Sequence, residues 1–162
     1  MTNPYPKEHN PYDPNLIYYE GIEVGAKIKG EPTYLVTPDE IKEFATRFDP
    51  MPFHMDEEKA KITPYGALTA PACLTQCILI NLLHRTLPPL AGIGLVGIEN
   101  VTLPRAVFAG DILHLETEIT HKRLSKSNPT RGLITNHFKL MTSTEELVYS
   151  SHHIQIFLVK PK

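Results

Sequence analysis

Residues 71–85 read PACLTQCILINLLHR, and this nearly continuous apolar run determines the architecture that the rest of the chain must adopt. Only three polar residues interrupt the run before its basic end, so the helix that it predicts has almost no polar face. Such a helix must be buried nearly all round. At 1.5 Å per residue it would be about 22 Å long. We predict that Thr69 caps it, that Pro71 lies in its first turn and that Pro88 stops it.

Strands are predicted on both sides of this helix, most of them after it. Along residues 112–121, apolar side chains alternate with polar ones, which is the pattern of a strand with one buried face. Consecutive strands joined by short loops pair antiparallel. The sequence therefore predicts an α+β fold in which a curved antiparallel sheet wraps one long buried helix. The predicted strands span residues 31–36, 96–103, 112–121, 133–141 and 147–159.

The length and charge of the chain narrow its class. Its 162 residues suffice for one domain, predicted over residues 16–162 after a proline-rich arm at residues 1–15. The net charge of −2, without a basic run, argues against nucleic acid as the main partner. No apolar run approaches the roughly 20 residues of a membrane span, and the N-terminus has no signal region. We expect a cytoplasmic protein with neither nucleic acid nor membrane as a partner.

The thiol and imidazole groups do not predict a metal site. Cys73 and Cys77 lie four positions apart in the helical run, without a second cysteine or histidine pair to complete a set of ligands. Both are therefore expected to be buried free thiols. His152 and His153 are adjacent in the last predicted strand, where neighbouring side chains face opposite sides and cannot chelate together. We expect no metal and no separate cofactor.

Residues 49–54 read DPMPFH and place a carboxylate and an imidazole five positions apart. They follow a short amphipathic helix whose start is predicted at Thr37, with Glu40 completing a capping box. Each proline of the segment disfavours helix at the residue before it, so an extended, stiff loop is predicted. Such a loop would hold Asp49 and His54 at a fixed separation, as acid–base chemistry requires. The alternative is a solvated connector, in which Asp56 merely caps a short helix at residues 57–61.

Four segments of the chain match one known family. Residues 49–54 fit the hydratase motif Asp-x-Asn-Pro-x-His, except that Met51 stands at the asparagine position. Residues 66–74, 101–111 and 123–132 are similar to the approach to the central helix, to a strand with its Gly-Asp turn, and to a later loop. From about residue 21 onward, the chain thus resembles the MaoC-like (R)-specific enoyl-CoA hydratase/dehydratase family, which has the hot-dog fold.

The resemblance implies reversible addition of water to a trans-2-enoyl thioester of the acyl-CoA type. Asp49 and His54 would activate one water molecule between them. The backbone amide of Ala72, at the start of the central helix, would stabilise the oxyanion that develops on the thioester carbonyl. Tyr65 is a candidate for the pocket lining, and the alternative is a tyrosine with its ring in the core and its hydroxyl outside. The basic loop that contains Arg123 and Arg131 is a candidate for contacts to the phosphates of coenzyme A, and the alternative is a solvated loop. The candidate substrate-binding residues are Met51, Tyr65, Ala70, Arg123 and Arg131.

Two other functions fit the same fold. Pro71 and Ala72 replace the family's usual His-Gly at the helix start, and Ile80 replaces a common serine. These departures and Met51 favour a protein that binds acyl thioesters, or another subunit, without turnover. A hot-dog thioesterase is the second alternative, although it leaves His54 without a role. In each case we expect a homodimer, or a higher oligomer of dimers, because a single curved sheet has an exposed edge that pairing would cover.

Overall fold

The computed structural model describes residues 10–161, so the first nine residues of the predicted arm lie outside the described part of the chain. Five strands form one sheet in the order β1-β3-β4-β5-β2, and each neighbouring pair is antiparallel. The α+β architecture predicted from the sequence is therefore confirmed. The strands are β1 (Lys27–Leu35), β2 (Gly92–Thr102), β3 (Ile112–Leu124), β4 (Arg131–Thr142) and β5 (Leu147–Leu158).

In the described part of the chain, four α-helices connect or cover the strands. Three short ones, α1 (Pro38–Phe48), α2 (Pro52–Met55) and α3 (Glu57–Lys61), follow β1, and the central helix is α4 (Ala72–Thr86). A 3-10 turn, Tyr19–Gly21, precedes β1. Among residues 10–161, no helix has the length and hydropathy needed to cross a bilayer. The core lies between α4 and the inner face of the sheet, where Leu74, Ile78, Leu79, Leu82, Leu113, Leu115, Phe138 and Leu140 are buried.

The central helix is buried along one stripe and not nearly all round, so that prediction was wrong. Cys73 and Cys77, expected to be buried, are both free and exposed. The reason is that one sheet covers only one side of a helix, and the other side of α4 is open in the single chain. The predicted caps also differ: Pro71 is the N-cap of α4, without a side-chain hydrogen bond, and Thr69 lies two residues before it.

The start of α1 was predicted correctly only in part. The hydroxyl of Thr37 accepts a hydrogen bond from the N–H of Glu40 at 3.3 Å. The carboxylate of Glu40 instead accepts a hydrogen bond from the hydroxyl of Tyr34. Burial raises the pKa of Tyr34, and the bond to Glu40 raises it further. Glu40 thus ties α1 to β1. In the predicted capping box, its carboxylate would instead have accepted the backbone N–H of Thr37.

Strand β2 forms one edge of the sheet and begins earlier than predicted, at Gly92 instead of residue 96. Glycines at 92 and 94 weaken the sequence signal for a strand. The strand is largely exposed along its whole length, in contrast to β3, β4 and β5. Its exposed large apolar side chains are Ile93, Leu95, Val96 and Val101.

Candidate active site

Asp49 lies at the end of α1 and is its C-cap. Its N–H donates to the carbonyl oxygen of Ala45 at 3.0 Å, which completes the last turn of the helix. Pro50 then prevents the helix from continuing, because a proline disfavours helical backbone at the residue before it. The side chain of Asp49 remains 36% exposed. The carboxylate is therefore held by a helix end while remaining open to solvent.

His54 lies in the one-turn helix α2 and not in an extended loop, so the predicted conformation was wrong for this half of the segment. Pro52 keeps Met51 extended, as expected, but a proline is also well suited to the first position of a helix. The turn closes through the N–H of His54, which donates to the carbonyl oxygen of Met51 at 2.9 Å. The next helix, α3, has the predicted bounds, and Asp56 caps it through the N–H of Lys59.

The two candidate catalytic side chains lie side by side. Asp49 Oδ2 is 3.6 Å from His54 Nε2, which is longer than a hydrogen bond. The side chain of His54 is only 9% exposed, and its Nδ1 lies 2.6 Å from the carbonyl oxygen of Thr69. A carbonyl oxygen can only accept, so we assign the hydrogen of the neutral ring to Nδ1. Nε2 is then the unprotonated nitrogen, and it faces the carboxylate.

Aromatic rings support His54 from one side. The Phe53 ring contacts the His54 ring edge-on, with centroids 4.4 Å apart. The centroid of the Phe53 ring also lies 5.6 Å from that of the Tyr65 ring. Tyr65 is half exposed, so its ring does not lie in the core. Tyr65 therefore lies one side chain away from the imidazole, while exposed Met51 lies between Asp49 and α2 in the chain.

The segment before α4 connects the imidazole to the start of that helix. Thr69 accepts from His54 through its carbonyl, while Ala70 donates its N–H to the carbonyl oxygen of Val107 at 2.8 Å. Ala72 follows Thr69 by three positions, so the first residue of α4 lies within about 11 Å of Thr69 along the chain. The N–H groups of a first helical turn have no partner within their helix. The helix α4 thus begins three positions after the residue whose carbonyl contacts His54.

An ion pair braces the loop that holds Ala70. Arg105 Nη1 lies 2.7 Å from Asp111 Oδ2, which also accepts the N–H of Phe108 at 2.8 Å. Gly110 has a φ of 94°, a left-handed conformation that glycine adopts without strain. The Gly-Asp turn noted in the sequence therefore positions Ala70 indirectly and does not itself enter the site.

The structure does not bring Arg123 and Arg131 to the Asp49–His54 pair within one chain. Both are exposed at the far end of the β3–β4 hairpin. Arg123 lies roughly 36 Å along β3 from its first residue, Ile112, which follows the Asp111 turn.

An apolar cavity also lies at the opposite end of α4. It has a volume of about 340 Å³ and a mostly apolar lining. The C-terminal residues of α4 form one wall, and burial lowers the pKa of His84 there. The other walls come from the turn before β1 and from the sheet. Lining residues include Ile22, Leu83, Leu87, Ile119, Ile134 and Phe157.

Sequence reasoning missed the carbonyl of Thr69, which fixes the imidazole. A backbone acceptor from 15 residues away leaves no signal in residue type. Thr69 and Asp111 both belong to segments that the sequence had identified, but their contacts to His54 and to the Ala70 loop were not predicted.

Comparison with known proteins places the chain in a family. The MaoC like domain family matches residues 21–138, more than half of the chain. The MaoC-like dehydratase of Rhodospirillum rubrum is 32% identical, with a TM-score of 0.83 over 90% of this chain and 99% of that one. A monoamine oxidase regulatory protein of Archaeoglobus fulgius is 28% identical, with a TM-score of 0.81 over 90% and 97%.

A further likeness concerns the fold alone. The (R)-hydratase of A. caviae, involved in PHA biosynthesis, is 23% identical, with a TM-score of 0.68 over 86% of this chain and 99% of that one. Among curated protein sequences, none matches significantly. The family match and the similarity to the R. rubrum protein lead to one conclusion: the chain belongs to the MaoC-like domain family and has its hot-dog fold.

Proposed function

We propose that the protein is a hydratase/dehydratase that reversibly adds water to a trans-2-enoyl thioester of the acyl-CoA type. Membership of the MaoC-like domain family supports this class of reaction, as does the likeness in fold to an (R)-hydratase. The observation that carries the proposal is the separation of 3.6 Å between Asp49 Oδ2 and His54 Nε2. Both atoms can accept a hydrogen bond, so together they can hold the two hydrogens of one water molecule.

In the proposed reaction, His54 Nε2 takes a proton from this water as the hydroxyl oxygen bonds to the β-carbon of the substrate. The electron pair of the carbon–carbon double bond moves onto the thioester carbonyl, which becomes an enolate oxyanion. The imidazolium then returns the proton to the α-carbon, so water adds without gain or loss of other atoms. Asp49 orients the water and stabilises the imidazolium. A positioned acid or base of this kind contributes about 10²–10⁴ in rate.

The oxyanion would lie at the N-terminus of α4. Pro71 has no N–H, so Ala72 is the first residue of the helix able to donate. The helix dipole favours negative charge at the same point. Removing one such donor typically costs about 10²–10³ in rate. Ala70 and the side chains of Met51 and Tyr65 would line the approach to this point.

We also propose a homodimer formed through β2. This strand lies at the sheet edge with exposed apolar side chains, and a second copy pairing antiparallel would cover them. The start of β2 would then lie beside the end of the partner's β2. This pairing would bring the apolar cavity, which includes Gly92 and Gly94, near the partner's Asp49–His54 pair, where it can accept an acyl chain.

The proposed reaction removes a conjugated double bond, so the loss of enoyl-thioester absorbance measures it directly. Crotonyl-CoA and longer or branched enoyl-CoAs should be hydrated by the wild type. Asp49→Asn and His54→Gln should each lose activity by about 10²–10⁴. Glu43→Gln and His121→Gln change exposed groups of the same types and should retain it.

Two outcomes would overturn the proposal. Release of free coenzyme A from saturated acyl-CoA would indicate a thioesterase. Calorimetric binding of enoyl-CoA, without change in absorbance for any acyl chain, would indicate a protein that binds thioesters without turnover.

A further inference from the structure

We propose a divalent transition-metal site, suited to Zn²⁺, on the sheet face opposite α4, with His114, Glu116 and Glu145 as ligands. One ligand atom from each of the three residues lies within 4.8 Å of the other two. His114 and Glu116 come from β3, and Glu145 comes from the turn between β4 and β5. The site lies apart from the proposed hydratase chemistry and does not depend on it.

The buried imidazole is the independent observation that points to a ligand. His114 is 7% exposed, and its Nε2 has no hydrogen-bond partner among the described residues. The nitrogen points between two carboxylates, 4.0 Å from Glu116 Oε1 and 3.9 Å from Glu145 Oε2. These distances are too long for hydrogen bonds. A buried polar atom without a partner is costly, and a bound cation would satisfy it.

The spacing of the three atoms suits a metal ion. Zn²⁺ binds imidazole nitrogen and carboxylate oxygen at about 2.0–2.2 Å, which puts neighbouring ligands roughly 3.4 Å apart in a tetrahedron. The two separations from Nε2, 4.0 and 3.9 Å, need to shorten only slightly. One nitrogen and two carboxylates leave a fourth position for water.

A lysine already neutralises part of this cluster and would compete with the metal. Lys29 Nζ lies 2.9 Å from Glu145 Oε1 and 3.8 Å from Glu116 Oε1. Lys29 contacts Oε1 of Glu145, whereas Oε2 of Glu145 faces His114. The side chain of Lys29 is 58% exposed on a flexible stem, so it can move toward solvent when a dication binds.

The sequence predicted no metal because the ligands are dispersed. His114 and Glu116 sit in an alternating strand that is typical of a solvated face, and Glu145 joins them only when the hairpin folds. A metal bound there would tie the β4–β5 turn to β3. Binding should therefore raise the thermal unfolding temperature of the folded protein.

The test is a calorimetric titration of the tag-free, EDTA-treated full chain with ZnCl₂ at pH 7. The chain carries Cys73→Ser and Cys77→Ser, because the two exposed thiols could bind zinc themselves. Glu145→Gly removes one ligand at a residue with φ of 61°, where glycine fits the backbone without strain. Glu116→Gln and His114→Gln remove the others, and circular dichroism verifies that each variant is folded.

We expect one zinc per chain, with affinity at least about tenfold lower in each ligand variant, because even outer-shell changes cost 10–100-fold. Lys29→Met should bind several-fold more tightly, since it removes the competing charge. Lys27→Met is the matched control: it removes a lysine paired with Glu118 at 3.5 Å and should leave the affinity unchanged.

Absorption of Co²⁺ in the visible range should report the same site, and it should weaken with the same variants. No zinc uptake by the parent chain at millimolar metal would overturn the proposal. So would equal affinity in the parent, Glu145→Gly and His114→Gln proteins, which would indicate an adventitious ion only.

Discussion

The carbonyl oxygen of Thr69 lies 2.6 Å from Nδ1 of His54 and determines which imidazole nitrogen can act as a base. Because Nδ1 carries the hydrogen that this carbonyl accepts, the unprotonated Nε2 is left to face Asp49. The hydroxyl of Thr69 is also near, at 3.3 Å from Nδ1, but the shorter contact belongs to the backbone.

This relationship predicts that Thr69→Val retains hydration activity while His54→Gln does not. Valine has nearly the same shape and keeps the carbonyl, so the rate should fall by no more than about threefold, against about 10²–10⁴ for the imidazole. The decay of enoyl-thioester absorbance measures both rates. If the valine variant were as inactive as His54→Gln, the hydroxyl and not the carbonyl would position the ring.

Leu95→Lys should convert the proposed dimer into monomers. Leu95 is 50% exposed on the edge strand β2, where a second copy would bury it against its own apolar residues. An unpaired buried charge costs several kcal/mol, enough to dissociate a typical interface. Light scattering at micromolar concentration gives the mass. Ile62→Lys, at an exposed position outside the sheet, serves as the control, and loss of dimer in both variants would argue against β2 as the interface.

Gly132→Ala should destabilise the protein, because the added methyl group would collide with the ring of Tyr19. Overpacking of this kind costs about 1–3 kcal/mol in the free energy of unfolding. Urea denaturation measures the change, and Gly94→Ala, where a methyl group meets open space, should show none of it. Adding Tyr19→Ala should remove most of the penalty from Gly132→Ala; a purely additive double mutant would contradict the clash.

Stability should fall as the pH drops below about 6.5. Burial holds the pKa of His153 below its ordinary 6.5, and the pKa values of His84 and His137 are lowered for the same main reason. The unfolded chain therefore takes up protons on these residues at a higher pH than the folded protein does, which favours unfolding in acid. Above pH 6.5 all three are mostly neutral in both states, and this contribution is constant.

His153→Leu should reduce this loss. The side chain is 1% exposed and packs edge-on against Phe138, so leucine can fill the space without a titrating group. Urea midpoints at pH 7.5 and pH 5.5 give the comparison. An equal drop in midpoint for wild type and variant would show that His153 does not contribute to the acid sensitivity.

Thr37→Ala should lower the free energy of unfolding by about 1 kcal/mol, because α1 loses its side-chain cap. Thr46→Ala changes an exposed threonine within the same helix and should cost less, since alanine is the better helix former there. Chemical denaturation separates the two. A larger loss at position 46 would argue that the cap is not formed in solution.

Patterns within one segment were predictable from the sequence. The apolar run of α4, the alternation in β3 and the Asp56 cap of α3 all depend on neighbouring residues. Because residues within one segment determine these features, the residue types of that segment are enough to predict them. The closeness of Asp49 and His54 belongs to the same class, because five residues and two prolines limit their separation.

Contacts between distant segments were not predictable. The conformation of Pro52–Met55 depended on a choice between two permitted roles for proline, and the sequence does not distinguish them. The exposure of Cys73 and Cys77 depends on how much of α4 one sheet can cover. The meeting of Glu145 with His114 depends on hairpin geometry.

The helix ends differ in one respect that bears on the whole domain. Thr37 and Asp56 complete α1 and α3 with side-chain oxygens, whereas the N-cap of α4, Pro71, supplies none. A thioester oxygen bound at Ala72 would take the place of that absent side chain and finish the helix from outside the polypeptide. The reactive intermediate would then be the form of the substrate that best completes the protein's own secondary structure.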